Sequence, residues 1–162
     1  MPTSLARSEL ALTISRTHLG STNTQGSAVE SYLTRYLAVV ICAEVEETVA
    51  EPIAAHIARS ANQHIASFLN NVKRRTNYVA NAKYSEIRKI LNYFDQSYGD
   101  QFAELVRLSV DDRGLQALGN LVGLRNEVAH TSPPPVTFDE AELALDTAAS
   151  VVAAVEAVLA SK

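Results

Sequence analysis

Residues 125–130 read Arg-Asn-Glu-Val-Ala-His. On a helix this spacing gathers a permanent cation, an amide and a titratable imidazole within about a turn and a half. Arg125 can neutralise a phosphate, Asn126 can orient it, and His130 can take up and return a proton near neutral pH. These are parts for handling a phosphodiester without a metal. Immediately after them come Thr-Ser-Pro-Pro-Pro, and the prolines forbid the helix from continuing.

The element that must carry the motif is predicted as a helix from Leu115 to about Thr131. Advancing about 100° per residue puts Gly119, Gly123, Asn126 and His130 on one stripe, beside an apolar arc that includes Leu118, Leu121 and Val122. Glycine costs a helix roughly 0.8–1.0 kcal/mol relative to alanine, so two of them on one stripe imply close approach by something. A neighbouring helix, the same helix of a second subunit and a nucleic-acid backbone all satisfy that requirement. Arg125 falls within the apolar arc, where a guanidinium needs a carboxylate or a phosphate. A second helix offers the acid: Leu33, Leu37, Val40 and Ile41 define its apolar face, and Glu44 lies on the same line. A Glu44–Arg125 ion pair is therefore expected, with Glu47 as substitute; the same pair would also serve simply to register two helices. His130, in the last turn, would equally serve as a C-terminal cap.

Helical periodicity runs through nearly the whole chain. A first helix is predicted from Leu5 to His18, ending at Gly20, and residues 21–27 form a polar linker. The long second helix spans about Glu30 to Ala50, with Pro52 either kinking it or starting the next element. Ser85 is the expected N-cap of a helix through Phe94 that closes near Gly99. A short helix follows from Phe102 to Leu108. The last helix is capped by Thr137 or Asp139 and reaches Leu159. The expectation is an all-α bundle in one domain, 1–162, with residues 1–26 as N-terminal helix and linker and 27–162 as the bundle core.

At 162 residues the chain is long enough to bury a core without cross-links. Cys42 is the only cysteine, so no intramolecular disulfide forms and a reducing compartment, the cytoplasm, is expected. There is no signal-peptide pattern, and no uninterrupted apolar run reaches the roughly 18 residues of a membrane span. The formal net charge of −4 argues against a general nucleic-acid coat. Yet Lys73, Arg74, Arg75, Lys83, Arg88 and Lys89 lie close together with Glu86 as the one acid among them, which leaves room for a local RNA-binding patch. Tyr78 and Tyr84 lie beside this cluster and could stack on bases or simply pack; the tyrosines as a group fall mostly at helical core spacings. His56 and His64 are eight apart, not the i, i+4 of paired metal ligands, so neither a metal site nor another cofactor is expected. No Walker loop, dinucleotide-binding glycine triplet or serine elbow is present.

Arg-Asn-x3-His, late in an apolar helix of a small all-α protein with a long acid-bearing helix before it, resembles the HEPN superfamily, and within it the RiboL-PSP-type group. The resemblance covers roughly residues 30–160. It implies a helical bundle with a long central helix that forms a symmetric dimer and brings two motifs together at the subunit interface. It also implies Arg125, Asn126 and His130 as active-site residues, Glu44 as the supporting acid, and Gly119 and Gly123 as the surface where paired motif helices approach. Many members are metal-independent endoribonucleases that act as toxins, in phage defence or in RNA processing. Others are non-catalytic nucleotide- or RNA-binding or assembly modules. The implied partners are a second copy, an RNA such as a tRNA, and an antitoxin or regulatory protein, with neither membrane nor DNA involved. One departure narrows the choice. Members paired with a nucleotidyltransferase antitoxin carry a tyrosine two residues after the histidine, and here that residue is Ser132, so tyrosine-directed modification is not expected.

Overall fold

A computed structural model describes residues 5–59, 81–126 and 136–161. All regular structure among them is helical: α1 (Ala6–Thr22), α2 (Ala28–Ala58), α3 (Tyr84–Asn92), α4 (Gln96–Ser109), α5 (Asp112–Asn126) and α6 (Phe138–Ala160). The all-α expectation holds.

Two long helices organise the bundle. α6 carries an almost unbroken Ala/Val/Leu sequence, and Val151, Val152, Val155 and Val158 are fully buried. It packs against α2, α5 and α4. By length and apolar character it is the one described helix that could cross a membrane, yet 56% of that apolar window is buried inside the bundle. It is the core helix. Its start is fixed by a capping box: the Thr137 hydroxyl accepts from the Glu140 amide while the Glu140 carboxylate accepts from the Thr137 amide. Two otherwise unpaired backbone donors are satisfied at once. Of the two caps the sequence offered, Thr137 is the one used.

α2 is longer than its sequence suggested. It runs through Pro52 without ending, although proline withholds one backbone hydrogen bond. Val49, Ile53 and Ile57 are buried on either side of the interruption, and tertiary packing carries the helix across. Ser27 starts it, its hydroxyl accepting from the Val29 amide.

Other boundaries move for identifiable reasons. α1 continues past Gly20 to Thr22, and Asn23, in the left-handed region, ends it. Ser85 is not a cap: α3 starts at Tyr84 after Lys83, with no side-chain cap bond. The helix does not close near Gly99 either. It stops at Asn92, and Asp95 caps α4, which runs from Gln96 instead of Phe102. Gly99 is needed inside α4 because a Cβ there would lie 1.8 Å from Asn92 Oδ1. Tyrosine placement is also corrected: Tyr32, Tyr36 and Tyr93 are exposed. Tyr84 is half-buried and stacks on Phe102, centroids 5.3 Å apart, so one face of its ring is taken by packing.

Candidate active site

The motif helix α5 is held on one side by α6 and on the other by α2. Gly114 sets the α6 contact, since a Cβ there would meet Thr147 Oγ1 at 2.5 Å. Leu118, Leu121, Val122 and Leu124 are buried, and Arg125 and Asn126 form the last turn. Asn126 is exposed. His130, Lys73, Arg74 and Arg75 lie outside the described residues.

Arg125 is half-buried and its Nη1 donates to Glu46 Oε1 at 2.5 Å. The side chains retain 24% and 15% of their exposure. A guanidinium in the apolar arc does have its carboxylate, but the acid is Glu46, not Glu44 or Glu47. Successive residues on a helix turn by about 100°, so Glu44 and Glu46 point to opposite sides of α2. Glu44 sits on the line of Leu37 and Ile41, and that line faces α1. Glu46 borders a second buried line, Cys42–Val49–Ile53, which faces α5. The signal was present in the sequence: α2 has two apolar lines, each with an acid at its margin, and wheel geometry alone does not tell which neighbour covers which line.

Glu44 has a different duty. Its carboxylate accepts from the backbone amides of Arg7 and Ser8, at 3.0 and 2.8 Å, and from the Ser8 hydroxyl at 2.6 Å. α1 has no side-chain cap of its own at Leu5, so an acid from α2 takes that place and meets the positive end of the helix dipole. Burial pushes the Glu44 pKa up, but the Ser8 hydroxyl, the two amides and Arg7 outweigh it and hold the carboxyl below its ordinary value. Glu47 pairs with the Arg7 guanidinium.

Cys42 lies inside the same α2–α5 seam. Its thiol is fully buried and its pKa is pushed up to about 12, by burial and by Glu46 against the opposing pull of Arg125. A thiol held neutral in this way is no nucleophile.

The two remaining groups of residues part company. Gly119 and Gly123 are half-exposed, and a Cβ on either would meet no heavy atom within 4 Å. Among the described residues, then, none packs tightly against these two glycines. The described part of the basic cluster is largely compensated, with Arg88 on Asp100 at 3.0 Å and Lys89 near Glu86 at 3.9 Å.

The family model RiboL-PSP-HEPN matches residues 6–161, so the chain belongs to this HEPN family. The match begins at residue 6, which brings α1 inside the family domain although the sequence resemblance began near residue 30. Membership points to a function of ribonuclease or RNA-binding type. Neither the curated proteins nor the solved structures yield a match.

Proposed function

We propose that the protein is a metal-independent endoribonuclease of the HEPN type, acting as a homodimer on a composite site with Arg125, Asn126 and His130 from each copy. The observation that carries this reading is Arg125 itself. It stands in the last turn of α5, half-buried and held by a dedicated carboxylate. A guanidinium has five N–H donors in a fixed fork. With one edge anchored on Glu46, another edge can meet a phosphate in a defined orientation, at a position already paid for by folding.

The chemistry follows from these residue types. One His130 removes the proton from a ribose 2′-OH, and the oxygen attacks the adjacent phosphorus. Negative charge grows on the non-bridging oxygens, where Arg125 stabilises it. The 5′-oxygen leaves with a proton from a histidine, in a composite site the partner's copy, and Asn126 orients the phosphate. The products are a 2′,3′-cyclic phosphate and a 5′-hydroxyl. DNA lacks the attacking hydroxyl and is inert. A reducing cytoplasm, a structured RNA such as a tRNA, and a role as a toxin or in phage defence, restrained by an antitoxin or regulatory protein, fit the same reading.

The test is incubation of purified protein with total RNA and tRNA in excess EDTA beside His130→Ala, reading the chemistry of the new ends. Cyclic-phosphate ends from wild type and none from the variant support the nuclease. A second reading, a non-catalytic RNA-binding module, draws on the net charge of −4 and on the in-chain pairing of Arg88 and Lys89. Equal RNA binding by both proteins with no cleavage by either would establish it instead.

A further inference from the structure

Two of the described tyrosines have ring partners: Tyr84 lies on Phe102, and Tyr98 meets Phe94 and His56. Tyr32 and Tyr36 have none among the described residues, and they keep 73% and 54% of their exposure. Tyr93 is as exposed but stands alone at the end of α3. Tyr32 and Tyr36 are a pair, one turn apart on α2 and about 6 Å along its axis. Advancing about 100° per residue from Tyr32 keeps Tyr36, Val39, Ala43 and Glu46 within about 40° of one line. The two rings therefore share the outer side of α2 with the carboxylate that holds Arg125. Glu46 follows Tyr36 by about 15 Å along the axis and Tyr32 by about 21 Å.

Beside Tyr36 runs a groove of about 420 Å³, walled by Leu10 and Ile14 from α1 and by Val39 and Val40 from α2, with Arg7 as its one charged lining residue. Glu44 and Glu47 take Nε and Nη2 of Arg7. Nη1 is left for a further acceptor, and because two carboxylates already neutralise the cation, an uncharged one such as a base carbonyl suits it.

We infer that Tyr32 and Tyr36 form a stacking platform for unpaired RNA bases, two to four nucleotides away from the phosphate that Arg125 holds. The inference rests on the ribonuclease reading for the place of the cut, and it adds the substrate class: a single-stranded stretch or loop. The step between the rings matches the step between successive bases of an extended strand, about 6 Å. Bases inside a duplex have both faces covered by their neighbours and cannot use such a platform. A strand also fits this face better than a protein does. The exposed apolar area is that of an ordinary monomer surface, short of the roughly 800 Å² per partner of a stable complex, whereas a base needs one ring face. Arg35, at the edge of the same line, places a guanidinium beside the rings, where it can meet a phosphate or a base face. And the line ends at the Glu46–Arg125 pair, so one strand can lie on the rings and enter the site.

Fluorescence anisotropy of the full chain with a labelled 2′-O-methyl RNA of about eight nucleotides tests this, since that strand has no free 2′-OH and stays uncut. Wild type is expected to bind the single strand at least tenfold more tightly than the duplex of the same sequence. Tyr32→Ala and Tyr36→Ala should each weaken binding about tenfold with unchanged helical circular dichroism. Tyr32→Phe and Tyr36→Phe keep a ring and should bind as wild type does, as should Tyr93→Ala. No binding, equal binding of strand and duplex, or wild-type binding by both alanine variants overturns the inference. Alanine variants that sediment differently from wild type yet bind the strand equally well assign the face to a protein contact and overturn it too. Failure of the nuclease reading looks different: the expected binding pattern with no cleavage of unmodified RNA keeps the platform and loses the enzyme. Cleavage by both alanine variants with wild-type kcat/KM keeps the enzyme and overturns the platform.

Discussion

The two sides of α2 each end in a glutamate, and the two acids do opposite work. Glu44 is sunk against α1, where four donors from Arg7 and Ser8 close on it. Glu46 stands at the edge of the α5 seam and makes one bond, to a guanidinium that keeps part of its surface in solvent. One is saturated and belongs to the fold; the other holds a group that still has donors to give. Two residues of sequence separate them, and the turn of the helix makes one a cap and the other a support. An acid on an apolar line is thus no mark of an active site until its partner is known.

The largest effect should separate the two sides cleanly. Arg125→Ala is expected to lower cleavage by about 100- to 1,000-fold, the usual cost of losing one donor to a developing oxyanion, with the helical spectrum retained. Equal cleavage by wild type and variant would remove Arg125 from the chemistry. Glu44→Gln comes next and should strike stability instead, because it removes a charged acceptor from four donors. A loss of about 2–3 kcal/mol is expected, or roughly 5–10 °C in Tm for a chain of this size, with cleavage at low temperature preserved.

The same acid predicts a pH signature. Its folded pKa is depressed, so its stabilisation is present above the unfolded carboxyl value of about 4.3 and is lost as pH falls through the folded value. Wild type should lose stability on acidification below about pH 5 more steeply than Glu44→Gln does, and parallel profiles would show that the cap is not what titrates. Glu46→Gln is expected to reverse the pattern of its neighbour: stability nearly unchanged and cleavage about tenfold lower, as the anchor of Arg125 weakens. If both glutamine variants lose stability and keep activity, the distinction between the two sides disappears.

The smallest effects lie on α5. Gly114→Ala should destabilise by about 1–3 kcal/mol, since a methyl group there has to displace Thr147. Gly119→Ala and Gly123→Ala have open space to enter and should each raise the stability of the isolated chain by up to about 1 kcal/mol. A fall in cleavage or dimerisation alongside that gain would mark the open stripe as a contact surface. A gain in stability with no such fall would leave the stripe without a partner.

The parts legible in the sequence are those that depend on one helix at a time. Periodicity disclosed the all-α architecture, Thr137 and Asp139 disclosed the start of α6, and the apolar arc of α5 disclosed that Arg125 needs an acid. The parts that were not legible depend on which helix covers which face. Leu5 gives no sign that α1 is capped from α2, so α1 looked peripheral although Ser8, Ser15 and Leu19 are buried. Gly99 looked like a helix end because its actual reason, the side chain of Asn92, comes from the preceding helix. Gly119 and Gly123 left a neighbouring helix, a second subunit and a nucleic-acid backbone equally open, because the spacing of glycines on one helix does not name what approaches them.

The burial of Cys42 has a practical consequence. A sulfur with no solvent exposure and a pKa near 12 hardly ionises near neutral pH, so alkylating reagents and maleimide dyes should pass over the wild-type chain. A cysteine introduced at an exposed position such as Val39 or Leu108 would then be the one reactive handle on each polypeptide. Spin labels or fluorophores attached there could report distances between chains with the native sequence otherwise untouched.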